Sequence, residues 1–261
     1  MREDMREEAP SAPAALRVEG LGLQIGGARI LEDVDLDVPQ GSIVGVIGPN
    51  GAGKTTLFNA VSGLMAPTAG RIHMGGRDIT SLSVPARARA GLGRTFQTSS
   101  YFPGLSVLEN VRLAAQVREG GNYSLFRFPR PGDAASVLAH ETLETVGLAH
   151  KAQAPAGDIS HGDKRKLEIA VLLVADASLV LLDEPMAGVA SGDVAGLVQN
   201  IRDMQRLKDC TVLMVEHHID VLLGFVDRVA VMYFGTIIAF DTPQNIMDNP
   251  TVQSAYLGRS A

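Results

Sequence analysis

The 261-residue sequence contains a single cysteine, Cys210, so no internal disulfide can form, and this usage fits a reducing compartment. Cys210 lies between a polar stretch and an apolar strand pattern, the setting of a buried or edge thiol. Long apolar runs are also missing. A membrane-spanning helix needs ~18 or more apolar residues in succession, whereas the longest candidate, AVLLVADASLVLLDEP, is broken by Asp176 and ends in acids. Positive charge is not in excess: 23 Lys and Arg against 29 Asp and Glu leave a net charge of −6, which argues against a nucleic-acid partner. Internal repeats are absent. The opening MREDMREEAPSAPA has no apolar core of the kind a signal peptide needs, and residues 1–14 read as a mobile tail. Hydrophobic residues make up 46% of the chain, enough for one large domain or a domain carrying an inserted lobe.

The periodicities change along the chain. LRVEGLGLQIG and ILEDVDLDV read as strands, the second alternating apolar and acidic residues. GSIVGVIG is a short apolar run between glycines, the pattern of a buried parallel strand. KTTLFNAVSGLM turns helical, and GRIHMGGRDIT reads as a hairpin turning at Gly75-Gly76. VPARARAGLGRTFQ is a helix running into a short strand. From Tyr101 to His161 helical patterns dominate, opened by Ser106 and Glu109 as a capping box. Strands ASLVLLDE, TVLMVEH and RVAVMYFG then alternate with helices. The expected fold is α/β: a mainly parallel, covered sheet with an antiparallel β part and an inserted helical lobe. The expected division of residues 15–261 is a core at 15–100 and 162–240, a lobe at 101–161 and an extension at 241–261.

GPNGAGKTT, Gly48 to Thr56, fits G-x-x-x-x-G-K-[ST] with the strand before it and the helix after it that this loop requires. Gly48, Gly51 and Gly53 let the backbone turn tightly, so that the loop's N–H groups between Gly48 and Thr56 can surround phosphate oxygens. Among those positions Pro49 has no N–H to give, and Asn50 and Ala52 complete the loop. Lys54 brings positive charge to the β- and γ-phosphates, and the Thr55 hydroxyl can ligate Mg2+, with Thr56 beside it. LVLLDEP delivers Asp183 to a strand's C-terminal edge, where it can hold Mg2+ through water; Glu184 can polarise the attacking water. Gln97 can touch Mg2+ or that water, and His217, after TVLMV, can hydrogen-bond a γ-phosphate. In ISHGDKRKLEIA, Ser160 caps a helix, Gly162 leaves bare N–H groups at its start, and those groups suit an anion that nothing adjacent supplies. Lys164, Arg165, Lys166 and Glu168 are expected to be solvated.

Gly48–Thr56, Gln97, Ser160–Gly162, Asp183–Glu184 and His217 follow the order and rough spacing of ABC-type ATPase domains, and from about Leu16 onward the chain resembles that family. GRTFQ, PGLSVLENV, EPMAGV, VEHHID and NPTVQSAYLG are similar to the ATPase subunits of uptake systems for branched-chain amino acids, or for urea and amides. The resemblance implies ATP and Mg2+ as ligands. It implies a second ATPase chain, identical or different, packed head to tail, so that Ser160 and Gly162 meet the ATP of the other subunit. It also implies two membrane permeases, an extracytoplasmic solute-binding protein acting through them, and a place on the cytoplasmic face of the membrane. A low-turnover regulatory nucleotide-binding module is the competing reading within the same family.

Some positions depart from that pattern. Asp163 stands where many relatives have Gln and is expected to turn outward as a helix cap; His161 replaces a Gly and is expected to face away from nucleotide. Ile25 falls where an adenine-stacking aromatic is common. Ala190 takes the place of an aspartate in the segment after Glu184, which hints at a different ATPase chain as partner.

Overall fold

The computed structural model describes residues 14–95, 101–118 and 132–257. Of the expected tail, residues 1–13 lie outside the described residues, as do Phe96 and Gln97.

The chain opens with two long antiparallel strands, β1 (Ala14–Ile25) and β2 (Ala28–Pro39). In β2 the buried positions are Leu31, then Val34, Leu36 and Val38, so the alternation slips by one residue. The slip sits at a register shift between Leu21↔Val34 and Leu23↔Leu31, with Asp33 at φ 49°. A bulge of this kind re-phases which side chains meet the core. β3 (Ile43–Ile47) follows, buried throughout, and leads through the glycine-rich loop into α1 (Lys54–Ser62). β4 (Ala69–Met74) and β5 (Arg77–Asp78) form the expected hairpin over Gly75-Gly76. β1, β2, β4 and β5 make one antiparallel sheet in the order β2-β1-β4-β5.

α2 (Val84–Arg89) and β6 (Leu92–Arg94) come next. The guanidinium of Arg87 is buried beneath them and donates to Ala60 O at 2.7 Å, Val61 O at 2.6 Å, Leu82 O at 3.0 Å and Thr80 O at 2.8 Å. It thereby satisfies carbonyls at the C-terminus of α1 that the helix itself leaves open.

Helices α3 (Val107–Arg118) and α4 (Ala134–Thr145) form the expected helical insertion and pack on α5 (His161–Ala175). Only half of the capping box forms: Ser106 Oγ accepts from Glu109 N at 3.1 Å, while the Glu109 carboxylate turns to Arg112. The chain then alternates through β7 (Leu179–Asp183), α6 (Ser191–Lys208), β8 (Thr211–Val215), α7 (Ile219–Leu223) and β9 (Arg228–Tyr233). β10 (Thr236–Asp241), α8 (Pro243–Met247) and α9 (Pro250–Leu257) complete the described residues.

The second sheet runs β10-β9-β3-β8-β7-β6, parallel except for β10. Its central strands are covered on both faces, which explains their unbroken apolar runs. In β7, Leu179 and Leu181 pack toward the antiparallel sheet and α1, whereas Val180 and Leu182 pack toward the helices. Cys210, just before β8, is fully buried among the helix-side residues, as its sequence context suggests.

Candidate functional site

The register of β3, β8 and β7 aligns the site. Val46 pairs with Val215, and Val215 pairs with Asp183, so the loops leaving these strands emerge side by side at one sheet edge. Ligands bind at such carboxyl-terminal edges in open α/β sheets.

The loop after β3 requires glycine for steric reasons. Gly48 has φ 156°, and a Cβ there would lie 2.2 Å from Met232 O; Gly53 has φ 102° with Leu31 Cδ2 at 3.0 Å from its imagined Cβ. Ala52 is buried and its carbonyl accepts from Gly235 N at 3.0 Å, so the β9–β10 turn braces the loop. Asn50, Gly51 and Thr55 are exposed, with Pro49 and Thr56 half-buried beside them. Lys54, the first residue of α1, is buried, and its ammonium donates back to Gly48 O at 2.7 Å and Pro49 O at 3.1 Å. Burial holds its pKa below the ordinary lysine value, with Glu184 and Asp183 pulling the other way.

Asp183 ends β7 almost fully buried. Its Oδ2 accepts from Arg94 Nη2 at 3.2 Å, and its N–H donates to Thr95 Oγ1 at 3.2 Å. Its Oδ1 is buried without a hydrogen-bond partner among the described residues. Burial pushes this carboxyl above its usual range, and the Arg94 guanidinium opposes that shift. A buried oxygen left unmatched on a carboxylate is costly, and it is the donor type a hard cation takes. No cluster of three or more His, Cys, Asp or Glu among the described residues could cage a metal ion. A cation here would rest on Asp183, a hydroxyl such as that of Thr55, and oxygens of a bound phosphate.

Glu184 follows in a left-handed conformation, φ 50°, a position that costs a non-glycine residue roughly 1–3 kcal/mol and persists only where the surroundings impose it. Its N–H donates to Val215 O at 2.9 Å, and its Oε1 lies 2.9 Å from His217 Nε2. The pair is part-exposed at the sheet edge.

Ser160 and Gly162 stand apart from this group. Ser160 Oγ caps α5, accepting from Asp163 N at 3.2 Å and donating to Asp163 Oδ2 at 2.9 Å. Gly162 lies against the first turn of α6, where its Cβ would meet Asp193 Oδ2 at 3.2 Å. Among the described residues, neither makes a hydrogen bond or ion pair to the phosphate loop, to Asp183–Glu184 or to His217. His161 is exposed. Two expectations for this helix are corrected. Asp163 does not turn outward: it is buried, and its carboxylate meets Lys151 of the segment before α5, as well as Ser160. Glu168 is not solvated but buried, paired with Arg165 Nη1 at 2.8 Å, because the helical insertion covers this face. Ile25 is half-exposed at the end of β1, and Ala190 is the N-cap of α6 without a side-chain cap.

Sequence reasoning overlooked two contributors. Arg94 binds Asp183 and also donates from Nη1 to Phe58 O at 3.0 Å and to Ser62 Oγ, which ties β6 to α1 and β7. Glu216, almost fully buried, accepts from Met186 N at 2.7 Å and His217 N at 3.1 Å. Both stand in recognisable words, GRTFQ and VEHH, but neither has a local pattern that reveals its partners.

A glycine loop between a buried parallel strand and a helix, beside an acidic strand end and a carboxylate–histidine pair, defines an ATP-hydrolysing P-loop protein with a helical insertion. Residues 31–187, more than half of the chain, match the family model described as ABC transporter. The chain is 36% identical to the high-affinity branched-chain amino acid transport ATP-binding protein LivG of Salmonella typhimurium over 250 residues, 94% of this chain and 98% of LivG. It is equally similar, over the same shares, to the corresponding protein BraF of Pseudomonas aeruginosa. The ADP conformation of an ATP-binding cassette of an ABC transporter superposes with a TM-score of 0.81 at 29% identity, covering 94% of this chain and 99% of that one. This chain belongs to the ABC transporter family, as one of its ATP-hydrolysing, ATP-binding subunits. Among the described residues no helix is long and apolar enough to cross a membrane.

Proposed function

We propose that this chain powers the uptake of branched-chain amino acids as one of two ATPase subunits bound at the cytoplasmic face of two membrane permeases, with an extracytoplasmic binding protein presenting the solute. The names of its relatives LivG and BraF support the solute class. The observation that carries the mechanism is the Glu184–His217 pair, at 2.9 Å, beside the buried Lys54 and the unpartnered Asp183 Oδ1.

ATP phosphates lie in the loop Gly48–Thr56, with Lys54 exchanging its loop carbonyls for β- and γ-phosphate oxygens. Thr55, Asp183 and Gln97 are the residues that would hold Mg2+, which when bound neutralises charge on those oxygens. Glu184 orients a water molecule and takes its proton as the water oxygen bonds to the γ-phosphorus. The bond from that phosphorus to the β–γ bridging oxygen breaks, releasing ADP and phosphate. His217 donates to the γ-phosphate and, through Glu184, fixes the direction of attack. General-base help of this kind contributes roughly 10²–10⁴ in rate.

Ser160 and Gly162 act on the ATP of the other subunit. That neither makes a hydrogen bond to this chain's own phosphate loop among the described residues supports that reading, as does the exposure of Ser160 and His161 at the start of α5. ATP then joins two subunits as a ligand that favours the closed pair. The test is the solution mass of Glu184→Gln with and without Mg-ATP. A nucleotide-dependent dimer is the expected result. A monomer with ATP demonstrably bound would show that one chain cannot build both sites and would direct the search to a different ATPase chain. Leucine uptake by cells lacking this chain checks the solute: undiminished uptake would overturn the assignment.

A further inference from the structure

We propose that Glu216 is a positioning residue that holds the catalytic pair in its working geometry and ties it to the segment leading into α6. The proposal rests on the reading of Glu184 and His217 as the hydrolytic pair.

The contacts form a closed ring. Glu184 N–H donates to Val215 O at 2.9 Å, at the end of β8. The next residue, Glu216, turns its side chain back into the protein, where it is 2% exposed. One carboxylate oxygen, Oε1, accepts from Met186 N at 2.7 Å, two residues past Glu184. The other, Oε2, accepts from His217 N at 3.1 Å. His217 Nε2 then closes the ring on Glu184 Oε1 at 2.9 Å. The exposed His218 also approaches Oε2, its Nδ1 at 3.5 Å, from the outer side.

The ring answers a question posed by the backbone. Glu184 sits at φ 50°, where a glutamate does not remain unless its neighbours impose it. On one side it is held by Val215 O, and on the other by the turn Ala187 N to Glu184 O at 3.0 Å. Met186 N lies inside that turn and has only Glu216 to receive it among the described contacts. Without the carboxylate, the turn loses its anchor to β8 and Glu184 can relax toward an ordinary conformation, away from His217. A charged acceptor makes stronger hydrogen bonds than a neutral one, and a single carboxylate reaching two backbone donors on two different strand ends is a rigid bridge. The segment so bridged, Met186 to Ala190, runs directly into α6, whose first turn carries the Asp193 packed on Gly162. Glu216 thus mechanically joins the hydrolytic pair to the helix against which Gly162 lies. Ala190 offers no side-chain cap for that purpose.

The experiment is steady-state ATP hydrolysis by the full chain, comparing Glu216→Gln and Glu216→Ala with Glu184→Gln and His217→Ala, with ATP affinity measured separately by a fluorescent ATP analogue. Glu216→Ala is expected to lower kcat by at least about tenfold, equivalent to ~1.4 kcal/mol of activation free energy, while KM and analogue affinity stay within about threefold, since the misplacement concerns the transition state. Glu216→Gln keeps one acceptor and should fall between Ala and the parent. Thermal melts establish that each variant is folded at the assay temperature; if Ala is not, the Gln variant carries the test. A kcat for Glu216→Gln and Glu216→Ala within twofold of the parent, alongside large losses in Glu184→Gln and His217→Ala, would overturn the proposal and leave the catalytic pair standing. If all four variants keep parental kcat, the hydrolytic assignment itself fails. A parallel rise in KM and fall in affinity would make Glu216 a structural residue and likewise overturn the positioning role.

Discussion

Arg94→Met removes the cation that faces Asp183. The side chains of Arg94 and Asp183 are 7% and 2% exposed, so the pair is effectively out of water. Breaking a buried pair by deleting one partner costs about 3–5 kcal/mol, because the remaining charge is left uncompensated. The loss falls on a position where Asp183 Oδ1 already has no partner, so the variant would leave the whole carboxylate without a counter-charge from Arg94. For a chain of this size, each kcal/mol moves the melting temperature by roughly 2–4 °C, which places the Arg94→Met transition about 6–20 °C below the parent. Adding Asp183→Asn removes the stranded charge. Residues in direct contact couple by about 0.5–3 kcal/mol, so the double variant should melt above the value expected from adding the two single losses. Thermal unfolding followed by circular dichroism, without nucleotide, measures all four corners of the cycle. An Arg94→Met transition within about 2 °C of the parent, or strictly additive losses, would refute the idea that this pair carries the charge balance of the strand end.

Gly48→Ala should abolish nucleotide binding in an equilibrium titration, because its Cβ would lie 2.2 Å from the backbone Met232 O, which has no rotamer to escape with. Asp163 should make α5 acid-sensitive. Burial acts to raise its pKa, but the hydrogen bonds from Lys151 and Ser160 outweigh it and hold the carboxyl below the usual range. A depressed folded-state pKa gives stability that is complete above the ordinary value of ~3.9 and is lost as pH falls through the folded value. The gap in melting temperature between the parent and Asp163→Asn should therefore be full at neutral pH and shrink below about pH 4; a constant gap would contradict the assignment. Cys210 is buried with its thiol pushed up to about 11, so a thiol reagent at neutral pH should label it only after denaturant unfolding, and rapid labelling of the native chain would show that β8 opens.

The phosphate loop was legible because its sequence signature is local. A strand, three glycines, a lysine and a helix lie within one stretch of chain, although the groups that crowd Gly48 and Gly53, Met232 O and Leu31, lie elsewhere in it. Asp183 was legible because a short apolar run ending in acids fixes both its burial and its place at a strand end. The errors at Asp163 and Glu168 share a cause. Spacing along α5 assigns charged residues to a solvated face, but α3, α4 and Lys151 cover that face, and no pattern within α5 announces them. Arg94 and Glu216 escaped for the same reason, since their partners are Asp183, Phe58 and Ser62 in one case and Met186 in the other. The slip at Asp33 does leave a trace, since the consecutive acids Glu32 and Asp33 break the alternation of ILEDVDLDV, but only the pairing with β1 shows that it is a bulge.

The loop near the front of the chain takes its back wall from near the other end: Met232 O closes on Gly48, and Gly235 N holds Ala52. A ribosome makes these pieces in the opposite order of need. The glycine loop emerges early, but its bracing turn emerges only when most of the chain has been synthesised, and β8 and β9, which flank β3 on both sides, also arrive late. ATP therefore cannot serve as a template for the first half of the chain. The nucleotide site is a property of the finished chain, and a truncated product ending before the β9–β10 turn carries the whole phosphate-binding sequence without a place to hold phosphate.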